Sequence, residues 1–277
     1  KILQPSRKVC VMKNQVISLY DYTGEALRPW AEAGYDCFAY DIQHVAEPMD
    51  ITGLKKVRKC PSVFYFHADL YDHETLLEIL VRHSGKVAFM SAFPPCTDLS
   101  AAGAVWWSKK SDENPQFQSN AAEHVKKCSF LGAAFGCPHY IENPVGALSR
   151  LWRKPDHVFN PYEFGGYLPR DDQHPRWPDI IPPRDAYRKR TCLWTGSGFT
   201  MPEKKDVPFI NVVCKRKDPK KGSNYSPIQA KTGGKSLKTK NIRSATPRGF
   251  AKKALLVVTP VIAKAKSRLN KRIALRI

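Results

Sequence analysis

Cys96 stands in the stretch SAFPPCTDLS, directly after Pro94 and Pro95 and at the end of an apolar run, KVAFMSAF, with the composition of a buried strand. A core cysteine is a small apolar group, whereas a cysteine at the stiff end of a strand can present its thiolate to a ligand. Further along, HYIENP places Glu142 at the end of another β-rich run. The pair suits one chemistry in particular. A pyrimidine ring is a poor nucleophile at carbon 5, but a thiolate that adds to carbon 6 makes carbon 5 enamine-like, so that it attacks an electrophilic methyl group. A carboxyl group bonded to ring nitrogen 3 eases that addition by taking up the charge that develops there. A helix start at residues 100–104, or a nearby arginine, is expected to lower the pKa of the thiol.

Those side chains need elements to position them. QVISLY (15–20), YDCFAYD (35–41), SVFYFHADL (62–70), KVAFMSAF (86–93), HYIENP (139–144) and RTCLWTG (190–196) have strand composition. Between them, DYTGEALRPW gives a turn at Thr23 and Gly24 and then helical spacing to Gly34; ETLLEILVRH (74–83) and residues 116–135 have helical period. Strands alternating with helices make an α/β chain with a mostly parallel sheet and helices on both faces. In such sheets ligands collect at the carboxyl ends of the strands. Gly24, Asp41, Asp69, Cys96 and Glu142 all fall at those ends, where packing alone would favour apolar groups. Residues 152–183, rich in proline and aromatics, have no clean period and are expected to form an ordered excursion. Residues 201–240 are expected to be a loop or small subdomain with at most short strands. TPRGFAKKALLVV (246–258) is expected to be a helix capped at Thr246 with Pro247 in its first position. The basic amphipathic end, KAKSRLNKRIALRI, suggests no use.

Charge separates the chain into two parts. Of the net +20, residues 201–277 carry 21 Lys and Arg against 3 Asp and Glu, so the first 200 residues are nearly neutral. A single-sign block of this kind attracts polyanions, and nucleic acid is the expected partner, with Lys235, Lys238, Lys240 and Arg243 as phosphate contacts. The eight cysteines (Cys10, Cys37, Cys60, Cys96, Cys128, Cys137, Cys192 and Cys214) form no CxxC pair and no cluster at zinc-ligand spacing. Neither a disulfide framework nor a metal is expected, and reduced thiols suit the cytoplasm. No apolar run reaches the roughly 18 residues that span a bilayer, and KILQPSRKVC lacks the apolar middle of a secretory signal, so no membrane partner is expected. The chain opens on Lys1 rather than Met, and its numbering is expected to start inside a longer product. A monomer is expected.

The ordered set of motifs resembles the cytosine carbon-5 DNA methyltransferase family, closest to its compact phage-encoded members. SLYDYTGEALRPWAEAGY, the acid at Asp41, HADL, FPPCTDLS, IENP and RKRTCLW carry the resemblance along about residues 16–196, and RSATPRGFA is similar to the phage members' closing segment. The resemblance implies a Rossmann-like S-adenosylmethionine-dependent methyltransferase fold. Residues 1–200 would form the catalytic domain, 201–243 a small basic target-recognition segment, and 244–277 a closing helix that returns to the catalytic domain, followed by the basic end. It implies S-adenosylmethionine as cofactor, DNA as partner and, for a phage-encoded chain, the host cytoplasm as the setting. Cys96 would be the covalent nucleophile, Glu142 the group on the cytosine edge, and Arg188 and Arg190 the basic pair at the exocyclic oxygen. Tyr20, Asp21, Thr23 and Gly24 would cradle the methionine part with Pro94 nearby, Asp41 would bind the ribose hydroxyls and Asp69 the adenine edge. Asn143 would hold the Pro94–Pro95 loop in shape. An enzyme of this kind must swing its target base out of the duplex or act on single strands.

The sequence also departs from the family. Tyr22 stands where the family has a second glycine, IENP replaces ENV, and RSATPRGF stands in place of the late glycine-asparagine motif. Residues 201–240 are short for a target-recognition domain, which points to binding dominated by phosphate contacts and steeply weakened by salt. Three rivals share parts of the pattern: carbon-5 methylation of cytosine in RNA, methylation of a free pyrimidine nucleotide, and a methyltransferase-like DNA-binding protein without turnover. Thr97 after the cysteine, where the nucleotide enzymes have histidine, speaks against the second. Intact Cys96 and Glu142 speak against the third.

Overall fold

The β-branched and aromatic runs form strands as their composition dictates. In the computed structural model, which describes residues 13–44, 63–214, 223–233 and 236–274, they are β1 (Gln15–Leu19), β2 (Asp36–Asp41), β3 (Val63–His67), β4 (Val87–Ala92), β5 (His139–Pro144), β6 (His157–Phe159) and β7 (Thr191–Gly196). These seven make one sheet in the order β3-β2-β1-β4-β5-β7-β6. The first five run parallel, while β7 is antiparallel to both of its neighbours. Helices α1 (Arg28–Glu32), α2 (His73–His83), α3 (Trp107–Glu113), α4 (Phe117–Ala134) and α5 (Leu148–Leu151) fall between strands. The fold is α/β, with a mostly parallel sheet flanked by helices, compatible with a Rossmann-like arrangement.

The two faces of the sheet follow from the period of two. Ile17, Met90 and Ile141 point to one side, where Leu76 and Ile79 of α2 and Val125 and Leu131 of α4 cover them. Val16, Phe89 and Tyr140 point to the other, against Trp30 of α1 and Phe250 and Ala254 of the long α8 (Arg248–Ala274). Every residue of β4 is buried, as a central parallel strand covered on both faces requires. Aromatic stacking locks the α8 side, with Trp30 against Phe89 at 4.7 Å and Phe250 against Phe159 at 4.6 Å between ring centres.

The late part of the chain contains β8 (Val212–Cys214) paired antiparallel with β9 (Ser223–Tyr225), then α6 (Pro227–Lys231) and α7 (Leu237–Ser244). Ile228, Ile242 and Ala245 share a small apolar cluster with Ile181 and Tyr187, so this segment packs on the excursion that precedes β7.

Two expectations change. The excursion contains β6, whose three residues are too few to show a period. The closing helix starts at Arg248 and does not stop near Val258 but runs through Pro260. Pro260 sits on the exposed side with Leu256 and Thr259, where the carbonyl that proline leaves unpaired can bond to water. Among the described residues no helix is long and apolar enough to cross a membrane, and no cluster of His, Cys, Asp and Glu could hold a metal ion. Cys37, Cys96, Cys128, Cys137 and Cys192 are free thiols, and Cys10 and Cys60 lie outside the described residues.

Candidate functional site

The strand order reverses between β1 and β4, and in open α/β sheets the crevice at such a switch point, beyond the carboxyl ends, is where ligands bind. The loops that leave β1 and β4 here are the two that carry the sequence motifs: residues 20–24 and 93–100.

After β1 the chain makes a tight turn organised by Asp21. Its carboxylate accepts hydrogen bonds from Ser18 Oγ (2.9 Å), Thr23 Oγ1 (3.0 Å) and the Gly24 N–H (2.7 Å), and Ser91 Oγ on β4 donates in turn to Ser18 Oγ (2.9 Å). Asp21 is therefore directed inward and fixes the shape of the turn, while Gly24 takes the positive φ of 68° that the turn demands. Tyr20 also has a positive φ, 57°, unusual for a bulky residue. Its N–H is tied to the Tyr40 carbonyl (2.7 Å) and its hydroxyl is bonded to His124 Nε2 on α4. Tyr71 stacks on His124 at 3.8 Å, which builds an aromatic wall beside Asp69. Tyr22, the residue in place of a glycine, lays its ring against His44 (5.7 Å between centres).

Burial pushes the Asp21 carboxyl up to about 6, although its three hydrogen bonds pull it down. The folded chain thus holds this proton more tightly than the unfolded one. The group's contribution to stability is present below its ordinary value of 3.8 and is lost as pH rises through about 6. Asp21→Asn is expected to flatten the stability profile between about pH 4 and pH 6, measured as urea midpoints across that range. A variant with the wild-type slope would assign the titration elsewhere.

Asp41 ends β2, and its Oδ1 accepts from the Gln43 N–H (2.8 Å); burial raises its carboxyl above the ordinary value. Asp69 is exposed just beyond β3 and accepts from the Tyr71 N–H (3.0 Å). Both carboxylates lie on the same rim as the turn after β1, because β3, β2 and β1 are parallel.

Cys96 and Glu142 meet on the other side of the switch point. Their loops are fastened together three times: Asn143 Nδ2 donates to the Pro94 carbonyl (3.0 Å), the Ala101 N–H to the Val145 carbonyl (3.0 Å), and the Ala147 N–H to the Leu99 carbonyl (2.7 Å). The last two need Gly146, since a Cβ there would stand 1.8 Å from the Leu99 oxygen. Cys96 is exposed, yet its surroundings desolvate the thiol enough to raise its pKa, and the Glu142 carboxylate raises it further. Lys189 and Lys240 act in the opposite direction. The expectation of a lowered thiol pKa is therefore corrected. Ser100 does cap a helix, but a short 3-10 turn over Ala101–Trp106, and the cations that pull the thiol down are Lys189 and Lys240.

Lys189 is the residue that reaches Glu142, with Nζ 3.3 Å from Oε1. Both line a small recess together with Phe93, Thr191, Thr246 and Phe250. Arg188 and Arg190 go elsewhere. The Arg188 guanidinium lies over the Phe209 ring at 3.7 Å, and Arg190 is exposed on the side of Cys192.

On α7, Lys238 and Lys240 are exposed, and Lys240 is close enough to act on the Cys96 thiol. Arg243 is exposed but bonded back to Thr232, with Nε 3.0 Å from its hydroxyl, and holds α7 to the end of α6. Lys235 lies outside the described residues. Asn241 Nδ2 donates to Gln43 Oε1 (2.9 Å), so α7 spans from the end of β2 to the cysteine. Sequence reasoning missed Lys189, His124, Tyr71 and this bridge. A period of two through RKRTCL, which separates Lys189 from both arginines, was the one available signal for Lys189.

No family model matches the chain, and no curated protein matches it.

Proposed function

We propose that the protein transfers a methyl group from S-adenosylmethionine to carbon 5 of cytosine in DNA through a covalent Cys96 adduct. The observation that carries this reading is the convergence of an exposed thiol, a carboxylate and a lysine on the rim beside the switch point, next to a turn built from Asp21, Thr23 and Gly24. The residues present fit the cofactor: a carboxylate at the end of β2 suits a ribose diol, and the turn after β1, shaped by Asp21, borders the switch-point crevice where the methionine part would lie. Asp69 and the aromatic wall of Tyr20 and Tyr71 suit a purine. Tyr22 is compatible, because its ring is laid against His44.

When bound, S-adenosylmethionine supplies an electrophilic methyl carbon. Cys96 loses its proton and its sulfur lone pair bonds to carbon 6 of the cytosine, while Glu142 gives a proton to nitrogen 3. The resulting enamine pair at carbon 5 would then bond to the methyl carbon of bound S-adenosylmethionine, whose bond to sulfur would break with its electron pair left on that sulfur. Loss of the carbon-5 proton to solvent then restores the double bond and returns the C6–S pair to Cys96, and nitrogen 3 gives its proton back to Glu142. With its pKa raised, the thiol of the free protein is mostly protonated at neutral pH, so its ionisation belongs to the bound state. Lys238 and Lys240, exposed on α7, of which Lys240 acts on the thiol, suit the phosphates of a nucleic acid.

DNA containing 5-fluorocytosine tests the reading, because fluorine cannot leave as a proton and the adduct persists. A complex that survives denaturing electrophoresis and depends on the methyl donor is expected. Methyl transfer without trapping would overturn the covalent scheme. Transfer of labelled methyl to RNA or free nucleotides but not to DNA would overturn the substrate.

A further inference from the structure

We propose that Lys189, and neither Arg188 nor Arg190, is the positioning cation of Glu142: it holds the side chain toward the reacting base and receives the carboxylate once the proton has been passed on. The inference rests on the reading above for its chemistry and on strand register for its geometry.

β7 pairs antiparallel with β5, and Glu142 stands opposite Leu193. On an antiparallel pair, directly opposed residues share a face, and so do residues two apart along each strand. Lys189, Thr191 and Leu193 therefore lie on the face of Glu142, and all four line the same recess. Neither Arg188 nor Arg190, which like Lys189 precede β7, lines that recess, and the Arg188 guanidinium is already held over Phe209. A three-residue basic run thus delivers only its central member to the carboxylate, and that member is long enough to reach back to 3.3 Å. The charge is not freely solvated: the Lys189 side chain is 27% exposed and that of Glu142 15%.

The role follows from the proton transfer. When Glu142 protonates nitrogen 3, its O–H bond breaks, an N–H bond forms, and the electron pair stays on the carboxylate. A fixed ammonium group beside that oxygen stabilises the product of this step without itself losing a proton. Lysine contributes one point charge here, where arginine would impose a planar fork. Lys189 is not the sole charge near Glu142. Cys96 and Lys240 share the rim, and the Tyr140, Tyr187 and Cys192 side chains also feel the Glu142 carboxylate.

The test compares Lys189→Met and Lys189→Arg with wild type. In Lys189→Met the transfer rate should fall about 100-fold, with KM for the methyl donor unchanged, and the limb of the pH–rate profile that reports Glu142 should move to higher pH. Lys189→Arg should return that limb toward the wild-type position. A second readout needs no turnover: the pH dependence of Cys96 alkylation, followed on its own peptide by mass spectrometry. Its midpoint should rise in Lys189→Met and fall in Glu142→Gln. Unmoved midpoints in Lys189→Met overturn the inference even if the rate drops, since a merely structural role would give that result. Movement in Arg190→Met instead of Lys189→Met overturns it as well. A wild-type protein that transfers no methyl group to any cytosine substrate counts against the proposed reaction, while the alkylation midpoints still decide whether the Lys189 charge acts at the rim shared by Cys96 and Glu142.

Discussion

Replacing Cys96 by alanine is expected to abolish methyl transfer, lowering the single-turnover rate by about 10⁴ or more, and to leave DNA binding in place. The expectation comes from position as well as chemistry. Cys37, Cys128, Cys137 and Cys192 are buried, and burial raises each of their thiols, so none can stand in for the exposed sulfur at the switch point. The substitution should also spare the loop. What Cys96 gives to the local structure is its carbonyl, which accepts from the Leu99 N–H (3.1 Å) and the Ser100 N–H (2.8 Å), and alanine retains that carbonyl. Lost turnover with an unchanged melting temperature and unchanged retention of a labelled duplex would therefore isolate the thiol. Measurable transfer by Cys96→Ala would remove the covalent adduct from the mechanism altogether.

The strands were legible because each is a short apolar run bounded by turn residues, and because parallel order places all their carboxyl ends on one rim. That much brings Asp41, Asp69, Cys96 and Glu142 to a common edge. Three features were not legible, and each depends on pairing between distant segments. Lys189 faces Glu142 because β7 enters the sheet antiparallel, and neither the orientation nor the register of that strand is written in RTCLWTG. Gly146 looks like any loop glycine, yet it admits the Leu99 backbone and so couples the Cys96 loop to the Glu142 loop. The bond from Asn241 to Gln43 joins two polar residues with no pattern around them. Charge composition does not show how a cation is tied down: Arg243, counted with the phosphate contacts, is exposed and bonded to Thr232.

These couplings explain why the RSATPRGF segment lies where it does. Ser244, Thr246 and Pro247 line the recess that contains Glu142 and Lys189, and the next residue, Arg248, is the anchor of the whole arrangement. Its guanidinium pairs with Asp172 (Nη2 to Oδ2, 2.6 Å) and Asp185 (3.3 Å), both carboxylates almost wholly buried. Asp185 also accepts from the Arg248 and Gly249 N–H groups (2.6 and 3.4 Å), which caps the first turn of α8.

Arg248→Ala is expected to cost about 3–5 kcal/mol, because it leaves two buried carboxylates without their cation while the aliphatic core is untouched. For a chain of this size the loss should appear as a fall of about 10 °C in the melting temperature. Its pH dependence separates charge from packing. Burial already raises the Asp185 carboxyl, with Arg248 opposing that rise, so the variant should push it higher still. A carboxyl whose folded pKa exceeds its unfolded value favours the native state at low pH and penalises it once ionised. The deficit of Arg248→Ala should therefore be larger at about pH 8 than at about pH 5, and Asp185→Asn in the same background should recover part of it at the higher pH. An equal deficit at both pH values would assign the loss to packing alone. An unimpaired variant would leave α8, and with it one wall of the recess around Glu142, held by Phe250 and its aromatic neighbours instead of by charge.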